Sequence, residues 1–264
     1  MNEAHKKSSL CLGYWNINGV RNKLENDNVL ATVMKYDILW VSEIKSPTNA
    51  NLPGYTAYRN KERYVNHGGI CLYVKNCLVR SISSVRFDGD DAIWLNFYFQ
   101  PDISFGAFYI PPADSSYYTP QVFAKLQSKL KTEVEMCIVF GDFNAKIDCL
   151  NDLVTNETRF RYPDQFQQRN NSHGAILKSI CIDNNLLVAN NLVTSTRTFD
   201  NGATYKCKGE WISQIDLSLI STKLVDNIEQ FNVNRESLPS DHAIIEVELQ
   251  VDDTDMENIA IRAS

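Results

Sequence analysis

Apolar runs of strand length alternate with helical patterns along most of the chain. Short apolar or alternating runs predict strands at residues 10–17, 37–41, 70–74, 79–87, 92–99, 104–109, 137–140, 186–189, 215–220, 228–233 and 243–251. Apolar residues spaced three and four apart predict helices at residues 23–36, 120–136 and 174–185. Two strand-rich halves, each with its own helices, indicate an α/β fold in which two sheets pack together and helices cover their outer faces.

The polar segments interrupt this pattern without producing a clear linker between domains. Residues 145–172 are long, polar and irregular, which is typical of a functional or mobile loop in a compact domain. The final residues are acidic. We expect a single domain over residues 1–251 and a disordered acidic tail over residues 252–264.

Composition and charge narrow the class of protein. Hydrophobic residues make up 44% of the 264 positions and charged residues 22%, as in a globular, water-soluble protein. No apolar stretch reaches membrane-spanning length, and the seven cysteines form no C-x-x-C pair, which indicates a reducing compartment. The formal net charge of −6 argues against broad electrostatic capture of nucleic acid, although carboxylates that hold a cation account for part of it. We expect an intracellular protein.

Four acidic residues stand where predicted strands meet loops: Glu43, Asp142, Asp216 and Asp241. Each lies among apolar neighbours, and isolated buried carboxylates protonate unless a counter-charge is present. A divalent cation bound through oxygen supplies that charge, and the scarcity of histidine favours Mg²⁺ or Mn²⁺ over zinc. Taken singly, each of the four is better explained as a solvated loop acid, and it is the set of four that indicates a cation site.

Three polar residues near these acids each allow two interpretations. His242 is either held by a carboxylate, where it can contact a phosphate oxygen or the attacking water, or a surface residue at the start of a strand. Asn16 and Asn144 are either turn residues or functional amides that donate to developing phosphate charge. The pair Asn18-Gly19 predicts a turn directly after Asn16.

Six short motifs in a fixed order carry a family resemblance. They occupy residues 15–19, 42–43, 108–111, 141–144, 215–216 and 240–242. In this order they resemble the endonuclease/exonuclease/phosphatase superfamily, which includes deoxyribonuclease I, exonuclease III, apurinic endonucleases and the endonucleases of LINE-type retrotransposons. The resemblance implies a four-layer α/β sandwich of two packed, mostly antiparallel sheets flanked by helices. It also implies a Mg²⁺-dependent phosphodiesterase that accepts Mn²⁺ as a substitute.

The resemblance further implies a metal site near the start of the chain. Glu43 is similar to the family's principal metal ligand, with Asn16 and Asp241 nearby. Ser42 and Ile44 stand where the family usually carries glutamine and threonine, so the immediate neighbours of this glutamate depart from the family pattern.

The remaining motif residues resemble the catalytic residues of the family. Asp142 is similar to the group that orients or activates the attacking water, and Asn144 to the donor that contacts the scissile phosphate. Asp216 and His242 resemble the family's Asp–His pair, and Tyr109 its phosphate-contacting tyrosine. The sequence leaves open whether His242 or Asp142 handles the proton.

Local details are similar to retrotransposon endonucleases. These details lie at residues 16–21, 171–174, 198–199 and 213–217, and residues 213–215 replace the Gly-Trp-Arg that apurinic repair enzymes usually carry. The resemblance therefore implies an enzyme that nicks double-stranded DNA in the nucleus and leaves a 3′-hydroxyl primer for reverse transcription. It also implies a reverse transcriptase fused in the native polyprotein, a monomeric isolated domain and no membrane partner.

DNA contacts are only weakly indicated, and two other functions stay open. The candidate contacts are Arg59, Lys61, Arg63, Thr198, Lys206 and Lys208, and a solvated face is an equally good explanation for the basic ones. Residues 199–213 are expected to form a β-hairpin that probes a DNA groove. The alternatives are a repair nuclease or another phosphodiesterase of the same superfamily, and a domesticated domain that binds DNA without cutting it.

Overall fold

The computed structural model describes residues 7–45, 51–59, 68–98, 100, 102–132, 135–148, 150, 154, 168–191, 202–236 and 238–252. Within these ranges the chain forms two six-stranded sheets, a two-stranded hairpin and three α-helices. None of the described helices combines the length and the apolar character that crossing a bilayer requires.

The first sheet combines strands from both ends of the chain. It contains β1 (Lys7–Asn16), β2 (Ile38–Ser42), β3 (Tyr55–Arg59), β4 (Ile70–Lys75), β13 (Ile228–Asn234) and β14 (Ile244–Asp252). The strand order is β13-β14-β1-β2-β4-β3. The central pair β1–β2 is parallel, and the other neighbouring strands are antiparallel.

The second sheet is formed by the middle of the chain. It contains β5 (Ile82–Phe87), β6 (Ala92–Phe97), β7 (Ile103–Tyr109), β8 (Met136–Asp142), β9 (Leu186–Val188) and β12 (Asp216–Ser221). The strand order is β5-β6-β7-β8-β12-β9. Its central pair β7–β8 is likewise parallel, with antiparallel neighbours on both sides.

Three apolar clusters divide the molecule into four layers, as predicted. Between the sheets, alternate residues such as Leu12 and Phe105 face each other, and the rings of Trp40 and Phe140 lie 5.4 Å apart. Helix α1 (Asp27–Val33) covers the outer face of the first sheet. Helices α2 (Gln121–Thr132) and α3 (Ser172–Asp183) cover the outer face of the second. Each sheet is thus buried on both faces, which explains why most of its strands read as continuous apolar runs.

Several predicted boundaries move for identifiable reasons. Helix α1 begins at residue 27 rather than 23 because the Asn26 side chain caps it by accepting from the backbone N–H groups of Asn28 and Val29. The predicted strand at 79–87 begins at Ile82, because a 3-10 helix occupies Asn76–Ser81. Strand β3 was not predicted.

The predicted hairpin is present within the described residues. It consists of β10 (Tyr205–Cys207) and β11 (Glu210–Ser213), paired antiparallel. Most of the predicted loop at 145–172 and all of residues 253–264 lie outside the described residues.

Candidate active site

The two parallel strand pairs end together at one edge of the sandwich. In the first sheet Asn16 and Ser42 are register partners, and in the second sheet Tyr109 and Asp142 are register partners. The two pairs approach so closely that the Asn16 side-chain amide donates a 2.9 Å hydrogen bond to Asp142 Oδ2. The carboxyl ends of two parallel strands lie at the same edge of a sheet. Residues at the strand ends therefore meet here although they are far apart in the chain.

Asp142, Asp216 and His242 form a buried cluster at this edge. Asp216 begins β12 opposite Asp142 on β8, so the two carboxylates are direct ladder partners. His242 Nδ1 lies 2.9 Å from Asp216 Oδ2, and its Nε2 lies 4.0 Å from Asp142 Oδ2. Because a carboxylate only accepts, the Nδ1 atom carries the proton of this hydrogen bond. The predicted Asp216–His242 pair is therefore in direct contact.

The electrostatics of this cluster follow from burial and from the proximity of the two carboxylates. Burial first, and then the charge of Asp216, raise the pKa of Asp142 to about 7, against the opposing influence of His242. Burial alone lowers the pKa of His242, but the charge and hydrogen bond of Asp216 outweigh burial and raise it to about 10. These shifts favour the cationic form of the imidazole and bring the Asp142 carboxyl toward the range in which it can accept a proton.

Glu43 lies beside the cluster, one residue beyond β2. Its Oε1 accepts a 3.2 Å hydrogen bond from the Asn16 amide, its Oε2 pairs with Lys45, and the Tyr109 side chain bonds to the same carboxyl group. Burial acts to raise the pKa of Glu43, but the hydrogen bond and charge of Lys45 outweigh it and hold that pKa below its usual value. The Asn16 amide thus donates to carboxylates that come from both sheets.

Asp241 joins the site through a turn in the first sheet. The Asn18 side-chain amide donates to Asp241 Oδ1 at 3.0 Å, and the Asn18 side-chain oxygen accepts from Lys45 Nζ at 2.6 Å. Asn18 adopts a left-handed conformation with φ of 46°, and its backbone N–H donates to Asn16 Oδ1. The turn predicted from Asn18-Gly19 is confirmed, and it links Asp241 to the Asn16 region.

Asn144 fixes the turn that follows β8. Its backbone N–H donates to Asp142 Oδ1 at 3.1 Å, and its side-chain amide donates to the carbonyl of Ile110 at 2.9 Å. Three positions before it, a Cβ on Gly141 would lie 2.6 Å from the carbonyl oxygen of Phe108, so a larger residue there would push the parallel pair apart. The motif at 141–144 therefore places a carboxylate and an amide side by side.

One hydrogen-bonded bridge beneath the site was not predicted. The Tyr14 hydroxyl accepts from the backbone N–H of Asp142 at 2.8 Å and lies 2.7 Å from the Ser42 hydroxyl. Tyr14 faces the core from the first sheet, so this bridge ties that sheet to the end of β8. The departure from the family pattern at Ser42 was the available signal, but its partner became visible only in the fold.

The donor set fits a hard divalent cation. The ligand atoms of Asp142, Asp216 and His242 lie within 4.8 Å of one another, and Asn16 links this group to Glu43. A protonated imidazole has no lone pair for a cation, so the atoms here that can hold one are the oxygens of the carboxylates and of the Asn16 side chain. Burial, and then the charge of Asp216, raise the pKa of Asp142, so a cation at this edge would stabilise its ionised form. Carboxylate and amide oxygens are the ligands that Mg²⁺ and Mn²⁺ prefer in proteins.

The candidate DNA contacts are only partly described. Lys61, Arg63 and Thr198 lie outside the described residues. Arg59 ends β3 at the edge of the first sheet and donates to Asn51 Oδ1 at 2.9 Å.

The hairpin carrying Lys206 and Lys208 starts at the site. The Lys206 backbone N–H donates to the carbonyl of Asp241 at 2.7 Å. The Lys206 ammonium and the Arg235 guanidinium both lie over the Trp211 ring, 5.6 Å and 5.3 Å from its centroid. Lys208 is exposed in the hairpin turn. These residues form a basic, aromatic surface next to the carboxylates.

This fold, together with a carboxylate–histidine site at the paired strand ends, defines a member of the endonuclease/exonuclease/phosphatase superfamily. A family model described as endonuclease-reverse transcriptase matches residues 103–246, which is more than half of the chain. The chain belongs to this family. No curated protein sequence matches it.

Solved structures with the same fold include nucleases and a phosphatase. The 3′ phosphatase NExo from Neisseria, solved with a product DNA hairpin, is 18% identical, with a TM-score of 0.66 over 91% of this chain and 99% of that one. The 3′-5′ exonuclease NExo from Neisseria meningitidis gives the same identity, TM-score and coverage. The AP endonuclease LMAP from Leishmania major is 13% identical, with a TM-score of 0.68 over 92% of this chain and 88% of that one. At these identities the likeness establishes the fold.

Proposed function

We propose that the protein is a Mg²⁺-dependent endonuclease that hydrolyses phosphodiester bonds in DNA. The observation that carries this proposal is the Asp142–Asp216–His242 cluster joined through Asn16 to Glu43. A buried acid that can take a proton, a cationic imidazole and a nearby carboxylate that can bind a cation are the groups that such a hydrolysis uses. Membership of the endonuclease-reverse transcriptase family supports the choice of a nucleic-acid substrate.

Glu43, Asn16 and Asp241 are the proposed metal ligands. A divalent cation bound there supplies Lewis-acid stabilisation of the negative charge that develops on the phosphate. Mn²⁺ substitutes for Mg²⁺ because both prefer oxygen donors. Lys45, which pairs with Glu43, supplies a positive charge on the same carboxylate.

Asp142 is the proposed acceptor of the proton from the attacking water. Its pKa near 7 suits a general base that works at neutral pH. His242 is held by Asp216 with Nε2 turned toward Asp142, so its Nε2–H is available to a phosphate oxygen. Asn144 and Tyr109, at the ends of the second sheet's parallel pair, are the proposed phosphate donors.

The hairpin surface is the proposed DNA contact beside the catalytic groups. Lys206, Lys208 and Arg235 offer positive charge to phosphates, and Trp211 offers a ring face. With a net charge of −6 on the whole chain, this local basic surface supplies attraction that the overall charge does not. Arg59 and, outside the described residues, Lys61, Arg63 and Thr198 complete the proposed contacts.

We further propose that the enzyme nicks one strand and leaves a 3′-hydroxyl primer for a reverse transcriptase in the same native polyprotein. The family match supports the link to a reverse transcriptase. Action on DNA in the nucleus is part of the same proposal. The isolated domain is proposed to act as a monomer, without a membrane partner.

Cleavage of supercoiled plasmid, linear abasic DNA and a small phosphodiester tests the proposal. We expect nicked circles in Mg²⁺ or Mn²⁺, no product in EDTA, and nicks that a polymerase extends without prior phosphatase treatment. Asp88→Asn, which changes a partly exposed aspartate paired with Lys125, is the control for removal of a carboxylate.

Each other outcome identifies a different function. Cleavage confined to abasic DNA would assign a repair nuclease, and cleavage of the small diester alone would assign another phosphodiesterase of the superfamily. DNA binding without cleavage of any substrate would assign a binding-only domain.

A further inference from the structure

Thr204 contacts the backbone on both sides of the Asp216–His242 pair. Its hydroxyl oxygen accepts hydrogen bonds from the backbone N–H groups of Ile215 at 3.1 Å and Asp216 at 2.9 Å. Its carbonyl oxygen accepts from the backbone N–H of Ala243 at 2.8 Å, directly after His242. One fully buried residue therefore holds the chain at both members of the pair.

The two residues after Thr204 extend this connection. The Tyr205 ring lies against the His242 imidazole, with centroids 5.0 Å apart, and Tyr205 and His242 form an antiparallel bridge. The Lys206 backbone N–H bonds to the carbonyl of Asp241. Residues 204–206, which we call the tie segment, run alongside residues 241–243 and hold them to the start of β12.

The tie segment matters because the pair it holds comes from different sheets. Asp216 begins β12 in the second sheet, whereas His242 precedes β14 in the first. The sheets pack through apolar side chains, and such packing is far less directional than hydrogen bonding. The hydrogen bonds of Thr204 therefore fix the separation between the start of β12 and residue 243. This is the point where the His242 imidazole contacts the Asp216 carboxylate.

The opposite side of Asp216 is also held. The Asn190 side chain donates to the Asp216 carbonyl at 2.9 Å and accepts from the Ser218 N–H at 2.9 Å. The Asp216 backbone is thus fixed at its N–H by Thr204 and at its carbonyl by Asn190. Thr204 also accepts from the Ala243 N–H, so its hydrogen bonds join the Asp216 backbone to the segment that carries His242.

We propose that Thr204 is a positioning residue that sets the orientation of the His242 imidazole against Asp216 and thereby the rate of phosphodiester cleavage. This inference rests on the proposed function, because it assumes that the Asp216–His242 pair acts in the reaction. A catalytic histidine depends on the carboxylate that holds its orientation, and small misplacements of such groups lower the rate of the chemical step more than substrate binding.

Three substitutions at Thr204 separate positioning from packing. Thr204→Val keeps the side-chain shape and removes the acceptor of two backbone N–H groups. We expect its kcat to fall about 10- to 100-fold, the range for residues that orient a site group, with KM changed less than about twofold. Thr204→Ser keeps the oxygen and should restore kcat to within about threefold of wild type. If Thr204→Val does not fold, Thr204→Ala leaves room for a water and should give the same split between kcat and KM.

A control on the same strand is available. Ser218 lies two residues beyond Asp216, and its buried hydroxyl has no hydrogen-bond partner. Ser218→Ala therefore removes a buried hydroxyl near the site without removing a contact, and it should cleave at the wild-type rate.

The low-field proton NMR signal of His242 Nδ1–H gives a readout that does not depend on activity. The signal is assigned by its loss in His242→Gln, and we expect it to shift or broaden in Thr204→Val and to persist in Thr204→Ser and Ser218→Ala. A folded Thr204→Val with wild-type kcat and an unchanged signal would overturn the positioning role while the proposed function stood. If wild type cleaves no phosphodiester, the proposed function fails instead, and the NMR comparison alone decides whether Thr204 positions His242.

Discussion

The two sheets have the same arrangement of parallel and antiparallel strands, but different functional groups lie at their strand ends. Each has a central parallel pair with two antiparallel strands on either side. The second sheet supplies Asp142 and Asp216 as direct ladder partners, 1% and 0% exposed. The first sheet supplies Glu43 and Asn18 from left-handed turn positions beyond its strands, with φ of 52° and 46°. The two acids of the second sheet are thus fixed in a ladder, whereas Glu43 of the first sheet lies on a turn beyond β2.

This difference suits the two sheets to different roles in the proposed reaction. Acids inside a ladder cannot move apart, so burial and mutual repulsion raise the pKa of Asp142. Acids on turns can adjust to a ligand, and Glu43 is kept ionised by Lys45. We therefore expect the second sheet to govern proton transfer and the first sheet to govern cation binding, and four predictions test this division.

The largest effect is expected for Asp142→Asn. Loss of the proposed proton acceptor should lower kcat about 10²- to 10⁴-fold, the usual contribution of a general base. The amide is isosteric, but its NH₂ group replaces one of the two oxygens that accept from Asn16 and Asn144, so Tm should fall modestly while the variant still folds. Plasmid nicking and thermal unfolding measure the two effects, and a variant that keeps more than a tenth of the wild-type rate would contradict the assigned role.

The bridge between the sheets is tested by Tyr14→Phe. The variant leaves the buried N–H of Asp142 and the Ser42 hydroxyl short of a partner, so the free energy of unfolding should fall by about 1–3 kcal/mol. The cleavage rate should fall with it, because the end of β8 loses its tie to the first sheet.

Tyr36→Phe is the control for this prediction. The Tyr36 hydroxyl donates to Glu246 at 2.7 Å on the outer side of the first sheet. Urea unfolding should detect a loss of stability in both variants, whereas a loss of cleavage in Tyr36→Phe as well would show that the bridge has no particular link to the site.

Asp142 and His242 should also make stability depend on pH in protein treated with EDTA. The folded protein keeps the Asp142 proton to about pH 7 and the His242 proton to about pH 10, whereas the ordinary pKa values are 3.8 and 6.5. Both groups bind more protons when folded, so their stabilisation is complete below the ordinary values and is lost as the pH rises through the folded ones. We expect Tm to fall between about pH 5 and pH 9, less steeply in Asp142→Asn. Equal slopes in calorimetry would contradict the raised pKa of Asp142.

The smallest effect is expected for the ion pair between Lys45 and Glu43. Lys45→Met removes the cation that competes for Glu43, so the Mg²⁺ concentration at half-maximal thermal stabilisation should fall about two- to fivefold, as expected for a partly exposed ion pair. Lys75→Met, which breaks the ion pair with Asp37, should leave that concentration unchanged. Weaker Mg²⁺ binding in Lys45→Met would instead show that the lysine supports the cation site.

Most strands were predictable because each is buried on both faces and reads as an apolar run of strand length. Strand β3 was missed because all five of its residues are only partly buried at a sheet edge, so its pattern is weak. Helix α1 was predicted to begin too early because its apolar pattern includes Leu24. Leu24 is buried but lies in the turn that precedes the Asn26 cap. The contact of Asp216 with His242 was predicted from a resemblance, and the fold supplied its geometry.

The sequence by itself determined the alternation of apolar strands and helices and placed acids, amides and a histidine at the strand ends. These are local properties, set by which residues each short segment can bury. Only the tertiary structure decided that Asp142 and Asp216 pair in one ladder, that Tyr14 bridges to the other sheet, and that Thr204 holds Asp216 to the His242 strand. Those contacts join residues far apart in the chain, and their partners are fixed by sheet order and register, which local patterns do not encode.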